Sequence, residues 1–288
     1  MNGRCEQVQN RTAIADQFSI TVLEKSIKSL ADSNRNIYIA IVDYAYADVA
    51  TNLYLTSFKR LSITNYLFIS LNAKGCDVLD ARGINCFHYI GEFKEGLTSS
   101  TCRTKGFHIK TNQRARIVLD SLRLGYNPFL VDLDIVFLTD PGPIVYPLGE
   151  QHDLVIQDDA NGLINTGFYY ARPTPLSLEF FTKAYNFSQT KLAEQKNDQR
   201  IMRQILIEFF NDTLRIHKLD VKRFLVGTTY WEIPKRAFNY EHPWKASDRS
   251  HDGVHKRRKG VSLQRKSCMD GGYQWVLLRS EQEVLDVR

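Results

Sequence analysis

Phe129-Leu130-Val131-Asp132-Leu133-Asp134-Ile135-Val136-Phe137-Leu138-Thr139-Asp140-Pro141 decides how the rest of the chain is read. An apolar run ends in two carboxylates two residues apart, the pattern of a buried strand that meets solvent at its end. Burying such groups is costly unless a cation or hydrogen-bond donors receive them. Positions i and i+2 of a regular strand share a face, so a slight distortion brings both acids to one ligand. The bland alternative is a strand end with two solvated aspartates.

Residues 112–124 place Ala115, Val118, Leu119 and Leu122 on one helical stripe, with Arg114, Arg116 and Arg123 on other faces. Gly125 is the expected C-cap, and Asn127-Pro128 breaks the chain before a strand over 129–131. Asp132 and Asp134 thus fall at the carboxyl end of a strand that follows a helix, where open α/β sheets bind ligands. Upstream, 37–42 reads as a first strand ending at Asp43, and 48–59 as a helix with Val49, Leu53, Leu55 and Phe58 inward. Strands are expected at 66–71 and 86–90, with a helix-like stretch around Val78 and Leu79 between them. This alternation predicts an α/β fold with parallel strands.

Beyond Pro141, short strands are expected at 154–156 and 168–171, separated by a polar turn over 157–162. Thr174-Pro175 has the cap-then-proline form of a helix start. Asn197 caps another helix, with Ile201, Ile205 and Phe209 on one stripe and Met202, Leu206 and Phe210 beside it. Asp198 and Gln199 lie in its first turn, where free amides and the helix dipole favour negative charge. Asp198 is therefore either a plain capping acid or a functional one.

The 288 residues include 43% hydrophobic and 24% charged ones, a composition foreign to disordered or fibrous chains. They suffice for one large domain or two small ones. No apolar stretch reaches the roughly 18–20 residues that span a bilayer, and residues 1–16 lack the apolar segment of a signal peptide. The chain as it stands reads as cytoplasmic unless a targeting segment is missing. Residues 245–266 hold eight Lys/Arg against Asp248 and Asp252, which accounts for the whole net charge of +6. The basicity is local, and no nucleic-acid partner is expected.

Cysteines at 5, 76, 86, 102 and 268 follow no zinc spacing; Cys76 and Cys86 form a candidate bridge in an oxidising compartment. Asn10, Asn186 and Asn211 open N-glycosylation triplets, weak support for a secretory route.

Two carboxylates in a small cluster suit a hard cation such as Mg²⁺ or Mn²⁺. Such a cation neutralises a diphosphate leaving group, the requirement of glycosyl transfer from a nucleotide sugar. Asp132-Leu-Asp134-Ile-Val136 also satisfies the string of haloacid-dehalogenase-like phosphatases, with a nucleophilic first Asp and an acid second. The second acidic pair of that class would be Asp158-Asp159, which comes too soon to leave room for the intervening core. Dinucleotide, P-loop, serine-hydrolase and zinc-protease patterns are absent.

Three segments in order, 124–141, Leu163-Ile-Asn-Thr-Gly-Phe-Tyr-Tyr-Ala-Arg-Pro-Thr174 and Asn197-Asp-Gln199, resemble the nucleotide-diphospho-sugar transferase domain family. The likeness runs from about residue 37 to 224. It implies a GT-A-like, Rossmann-related fold with a mixed, mostly parallel sheet flanked by helices. Residues 1–36 are then an N-terminal extension and first helix, 37–224 the transferase core, and 225–288 a closing segment of the same domain. The resemblance places nucleotide against Val42, Asp43 and Asn52, with Arg116 approaching ribose or diphosphate. Asp132 would contact ribose or metal-bound water, and Asp134 would ligate Mn²⁺ or Mg²⁺ directly. Asn165 and Gly167 would line the donor sugar, and Asp198 and Gln199 would sit beneath sugar and acceptor.

In similar proteins a His-containing segment closes the metal site. Here His255-Lys-Arg-Arg-Lys-Gly260 keeps the His and the Gly but fills the middle with cations. His255 is the candidate third ligand, and Lys256–Lys259 a diphosphate clamp. Trp231 and Trp244 either line an acceptor groove or pack the loop.

The implied activity is retaining transfer from a UDP-sugar to a glycan or glycoprotein, in the Golgi lumen if a targeting segment is missing. A transferase-like sugar- or protein-binding module without turnover is the other expectation.

Overall fold

The computed structural model describes residues 20–89, 105–159, 163–190, 196–211 and 213–225. The segment 226–288, with His255, the basic run, Trp231 and Trp244, lies outside the described residues, as does 1–19.

Among the described residues seven strands build one sheet: β1 (Asn36–Val42), β2 (Tyr66–Ser70), β3 (Cys86–His88), β4 (Asn127–Val131), β5 (Leu154–Asp158), β6 (Ile164–Ala171) and β7 (Ile216–Leu219). Their order is β3-β2-β1-β4-β6-β5-β7. β3, β2, β1 and β4 pair in parallel, β6 runs antiparallel to both β4 and β5, and β7 is parallel to β5. A single reversed strand therefore makes the sheet mixed and mostly parallel, as expected. The order reverses between β1 and β4, which leaves a crevice outside their carboxyl ends.

Both faces of the sheet are covered, so its strands read as continuous apolar runs. The two-residue period sends Ile37 and Ile39 to one face and Tyr38, Ala40 and Val42 to the other. On the first face lie a helix over 20–30 (α1), α4 (Lys105–Arg123), α6 (Pro175–Ser188) and α7 (Asp198–Phe209). On the second lie α2 (Ala47–Leu53), α3 (Ala73–Asp80) and α5 (Gly142–Gly149).

Local differences from the sequence pattern have physical causes. The helix expected over 48–59 is a 3₁₀ turn, then α2, then a π turn over Tyr54–Lys59. The π turn resets the helical phase, so Ser57 and Phe58 are buried and Leu55 is exposed. β4 begins at Asn127, two residues earlier than expected. Asn127 donates its backbone N–H to Arg35 O at 2.8 Å, and its side chain donates to Asn34 O at 2.8 Å. α7 stops at Phe209, which is exposed, while Phe210 leaves the helix and turns inward onto Phe180, ring centroids 5.6 Å apart. Gly125 ends α4 with a φ of +78°, the left-handed cap the sequence predicts. Cys76 of α3 and Cys86 of β3 form a disulfide. No helix among the described residues is long and apolar enough to cross a membrane.

Candidate active site

The apolar residues of β4 are buried to Val131, and the chain reaches the sheet edge at Asp132, which is half-buried like Asp134. The backbone N–H of Asp132 donates to Gly167 O at 2.7 Å, extending the β4–β6 ladder by one position. Its carboxylate lies directly over the Gly167 Cα. A β-carbon at 167 would collide with a carboxylate oxygen and stand 2.7 Å from Asp132 Cγ. Glycine is thus required for close approach, and what approaches is the acidic side chain itself.

The loop after the acids is pinned from three sides. Ser57 Oγ accepts the Phe137 N–H at 2.9 Å, Arg60 donates to the Phe137 and Leu138 carbonyls, and Tyr38 donates its hydroxyl to Asp140 at 2.6 Å. The π turn supplies Ser57, and Arg60 is the residue that caps its end. Asp134 is held within this ordered segment.

A cation from α4 lies against the acidic residue. Arg114 donates through Nη2 to Asp132 and through Nη1 to Asp198 at 3.3 Å. The Arg114 side chain is 20% exposed and that of Asp198 only 4%. One guanidinium therefore joins the end of β4 to the first turn of α7. Burial opposes its charge, but Asp132 and Asp198 together hold its pKa above the ordinary arginine value. For Asp198 burial raises the carboxyl pKa, and Asp132 adds to the rise. Arg114 and hydrogen bonds from Thr166 and the Gln199 backbone counter this only in part. Asn197 caps α7 as the sequence predicts, its Oδ1 accepting the Arg200 N–H at 3.1 Å.

One helical turn earlier on α4, Lys110 Nζ reaches Asp43 Oδ2 at 2.6 Å, with side chains 15% and 5% exposed. Asp43 also caps the 3₁₀ turn after β1 by accepting the Ala45 N–H at 2.9 Å. Lys110 and Arg114, spaced i,i+4, thus bridge to the ends of β1 and β4 on either side of the crevice. Val42 is buried at the end of β1, and Asn52 is half-buried on α2.

Arg116 is placed elsewhere. Its Nε donates to Asp120 at 2.8 Å and its Nη1 to the Tyr185 hydroxyl at 2.8 Å. Two residues along a helix rotate a side chain by roughly 200°, so Arg114 faces the acids and Arg116 faces α6. Of the two, Arg114 is the one whose guanidinium lies at the crevice.

Asn165 is 1% exposed, and its amide is engaged inside the protein. Its Nδ2 donates to Gln157 Oε1 at 2.7 Å, and its Oδ1 accepts the Gly167 N–H at 2.8 Å. Gln157 in turn donates to Phe224 O at 3.1 Å. Asn165 therefore braces the start of β6. Gln199 donates to Asp159 at 3.2 Å, tying α7 to the end of β5. Burial raises the Asp159 pKa, with Asp158 adding to the effect and Gln199 opposing it.

Sequence reasoning passed over three further groups. Tyr169, on β6, is fully buried, and its hydroxyl has no hydrogen-bond partner among the described residues, although Asp198, Arg114 and Asp132 all act on it electrostatically. His108, on α4, feels Arg200 and Asp198; burial and Arg200 hold its pKa below the usual value. Gln157 opened the polar turn over 157–162 in the sequence reading and is here a buried strut within β5. The i,i+4 spacing of Lys110 and Arg114 was the one available indication for α4.

The structure thus brings Asp132, Gly167, Asn165 and Asp198 together and places Asp43 across the crevice. Among the described residues no three His, Cys, Asp or Glu side chains converge as a metal site. The donor chemistry at Asp132 and Asp134 fits a hard divalent cation whose remaining ligands are water and phosphate oxygens.

A family model described as nucleotide-diphospho-sugar transferase matches residues 61–252. A β-arabinofuranosyltransferase of Arabidopsis thaliana, RAY1, is 26% identical over 184 residues, covering 60% of this chain and 34% of that protein. A UDP-galactose:fucoside α-3-galactosyltransferase of Dictyostelium discoideum is 23% identical over 260 residues, 73% of this chain and 39% of the relative. The chain thus spans little more than a third of either of these relatives. Among solved structures, the galactosyltransferase LgtC in complex with donor and acceptor sugar analogues is similar at 16% identity and a TM-score of 0.46. That match covers 72% of this chain and 80% of LgtC. The family match carries through β2, β4, β6 and α7, and it sets aside the phosphatase reading of the acidic string. The chain belongs to the nucleotide-diphospho-sugar transferase family.

Proposed function

We propose that the protein transfers a sugar from a nucleoside diphosphate donor, a UDP-sugar, to a glycan or glycoprotein acceptor with retention at the anomeric carbon. One observation carries the reading: Arg114 joins Asp132 to Asp198 above Gly167, at the crevice where the strand order reverses. Charged groups from three elements converge where a diphosphate-sugar needs both a cation and an acid.

In this reading Asp134 and Asp132 hold Mn²⁺ or Mg²⁺, and His255 completes the set. The cation, when bound, neutralises charge on the departing diphosphate. Asp43, Val42 and Asn52 form the nucleotide side. Arg114 releases Asp132 and turns to donor oxygens, while Asp198 and Gln199 face the sugar. Asn165 sets the position of both Gly167 and the sugar-facing strand end. The diphosphate accepts the proton of the acceptor hydroxyl on the same face. Direct attack by Asp198 on the anomeric carbon is the alternative retaining route. A Golgi lumenal setting accompanies this function.

The test begins with calorimetric UDP binding with and without Mn²⁺. Donor hydrolysis and transfer are then followed over UDP-xylose, UDP-galactose and UDP-arabinose. Metal-dependent binding and turnover of one donor are expected, with turnover lost in Asn165→Ala and Asp198→Ala. Unchanged turnover in both variants would overturn these roles. Arg114→Lys, which keeps the charge but loses the fork, is expected to weaken donor binding about tenfold, or ~1.4 kcal/mol. Arg116→Lys should leave donor affinity unchanged.

A second reading has one observation in its favour. Arg114 already pairs with Asp132, so that carboxylate has a counter-charge without a metal. A sugar- or protein-binding module without turnover would bind UDP equally well with and without Mn²⁺ and hydrolyse no donor.

A further inference from the structure

The three N-glycosylation triplets are indistinguishable in the sequence; the fold separates them. Asn10 lies outside the described residues. Asn186 is in the last turn of α6, and the hydroxyl of its triplet, Ser188 Oγ, donates to Tyr185 O at 2.6 Å within that helix. Asn211 follows the end of α7, and both Asn211 and Thr213 are exposed. A bulky hydrophilic group at 211 therefore meets no packed neighbour.

Two independent observations point the same way. The Cys76–Cys86 disulfide marks a chain that matures where thiols oxidise, the compartment in which such triplets are read. Beside Asn211 the surface is also unusually apolar, with Ile207 57% and Phe209 55% exposed. These are two of the five large exposed hydrophobic residues described. Lys183 covers one side of the Phe209 ring, 4.8 Å from its centroid. The rest of this apolar surface is open, and a bulky, solubilising group attached beside it would cover it.

We propose that Asn211 carries an N-linked oligosaccharide that covers the exposed end of α7. The donor is an oligosaccharide linked to a polyisoprenyl diphosphate. The anomeric C1–O bond to the diphosphate breaks and the diphosphate leaves with the electron pair. A C1–N bond forms to Asn211 Nδ2, which gives up one proton. α7 spans roughly 18 Å at 1.5 Å per residue, so the glycan stands at the opposite end of the helix from Asp198 and leaves the crevice open.

The test is made on the full chain recovered from its own cells, with Asn211→Gln, Asn186→Gln and Thr213→Ala expressed alongside. Peptide:N-glycosidase digestion is expected to increase gel mobility and leave aspartate at position 211 in peptide mass spectra. Asn211→Gln and Thr213→Ala should both abolish the 211 modification, Thr213→Ser should retain it, and Asn186→Gln should leave it intact. Non-reducing peptide mapping of Cys76–Cys86 confirms that each variant folds. An unmodified Asn211 overturns the proposal, whether the disulfide has formed or the cysteines are reduced. Modification confined to Asn186 or Asn10 overturns it equally.

Discussion

The Asp132 carboxylate fills the space that a β-carbon at 167 would need, and that contact governs the acidic site at the scale of single residues. In Gly167→Ala the new methyl group displaces the carboxylate. The variant is expected to fold with a loss of about 1–3 kcal/mol, while metal-dependent UDP affinity falls about tenfold or more. Calorimetry beside a denaturant titration separates the two effects. Tyr169→Phe should behave in the opposite sense. The buried hydroxyl has no partner to lose, so removing it should stabilise the protein by about 1 kcal/mol, read as a rise in melting temperature. The first contact was partly legible: Asn-Thr-Gly announces a close backbone approach but not what approaches. Arg114 was not legible, because apolar periodicity fixes which side of α4 faces the sheet and leaves Arg114 and Arg116 equally plausible. Asn165 was read as a group facing the ligand. Its burial depends on Gln157, eight residues earlier on the neighbouring strand, and local sequence does not show that pairing.

At the scale of elements, alternation and caps made the strand–helix order readable. Gly125, Thr174 and Asn197 end or begin helices as their chemistry requires. The π turn over 54–59 escaped the periodicity because one added residue per turn shifts the apolar phase midway through a helix. That turn positions Ser57 to receive the buried Phe137 N–H, coupling α2 to the loop after Asp134. Ser57→Ala leaves this N–H unpaired, and a loss of about 1–3 kcal/mol is expected in urea denaturation. Faster amide exchange at Phe137 should accompany it. If exchange there is unchanged, the loop is held by Arg60 and Tyr38 alone.

For the whole molecule, pH acts at His108 near Asp198 and also at the edge of the sheet remote from the crevice. His217 on β7 packs against His152, ring centroids 5.1 Å apart. Burial, and then His152, lower the His217 pKa from its usual 6.5. A depressed base favours the neutral folded form. Its contribution is therefore complete above 6.5 and is lost as pH falls through the folded value, where the unfolded chain takes up protons first. Melting temperatures measured between about pH 8 and 5 should fall on acidification, and His217→Gln should flatten that part of the curve. The residue pattern alone predicted parallel strands; the mixed, mostly parallel sheet came with the family resemblance, and the identity of the reversed strand, β6, was not legible. Strand direction depends on partners far apart in the chain.

The reversal of β6 has its own consequence for diversification. A parallel strand offers a crevice only its last residues and the loop that follows, whereas β6 offers its first residues. The end of β5 and the start of β6 therefore meet at the rim, where the Asp159 N–H donates to Leu163 O at 2.8 Å. A connection between two strands that are already paired to their ends tolerates grafting. Exchanging the residues that join β5 to β6 between family members should therefore leave the sheet and the Asp132–Arg114–Asp198 bridge in place, read as an unchanged melting temperature.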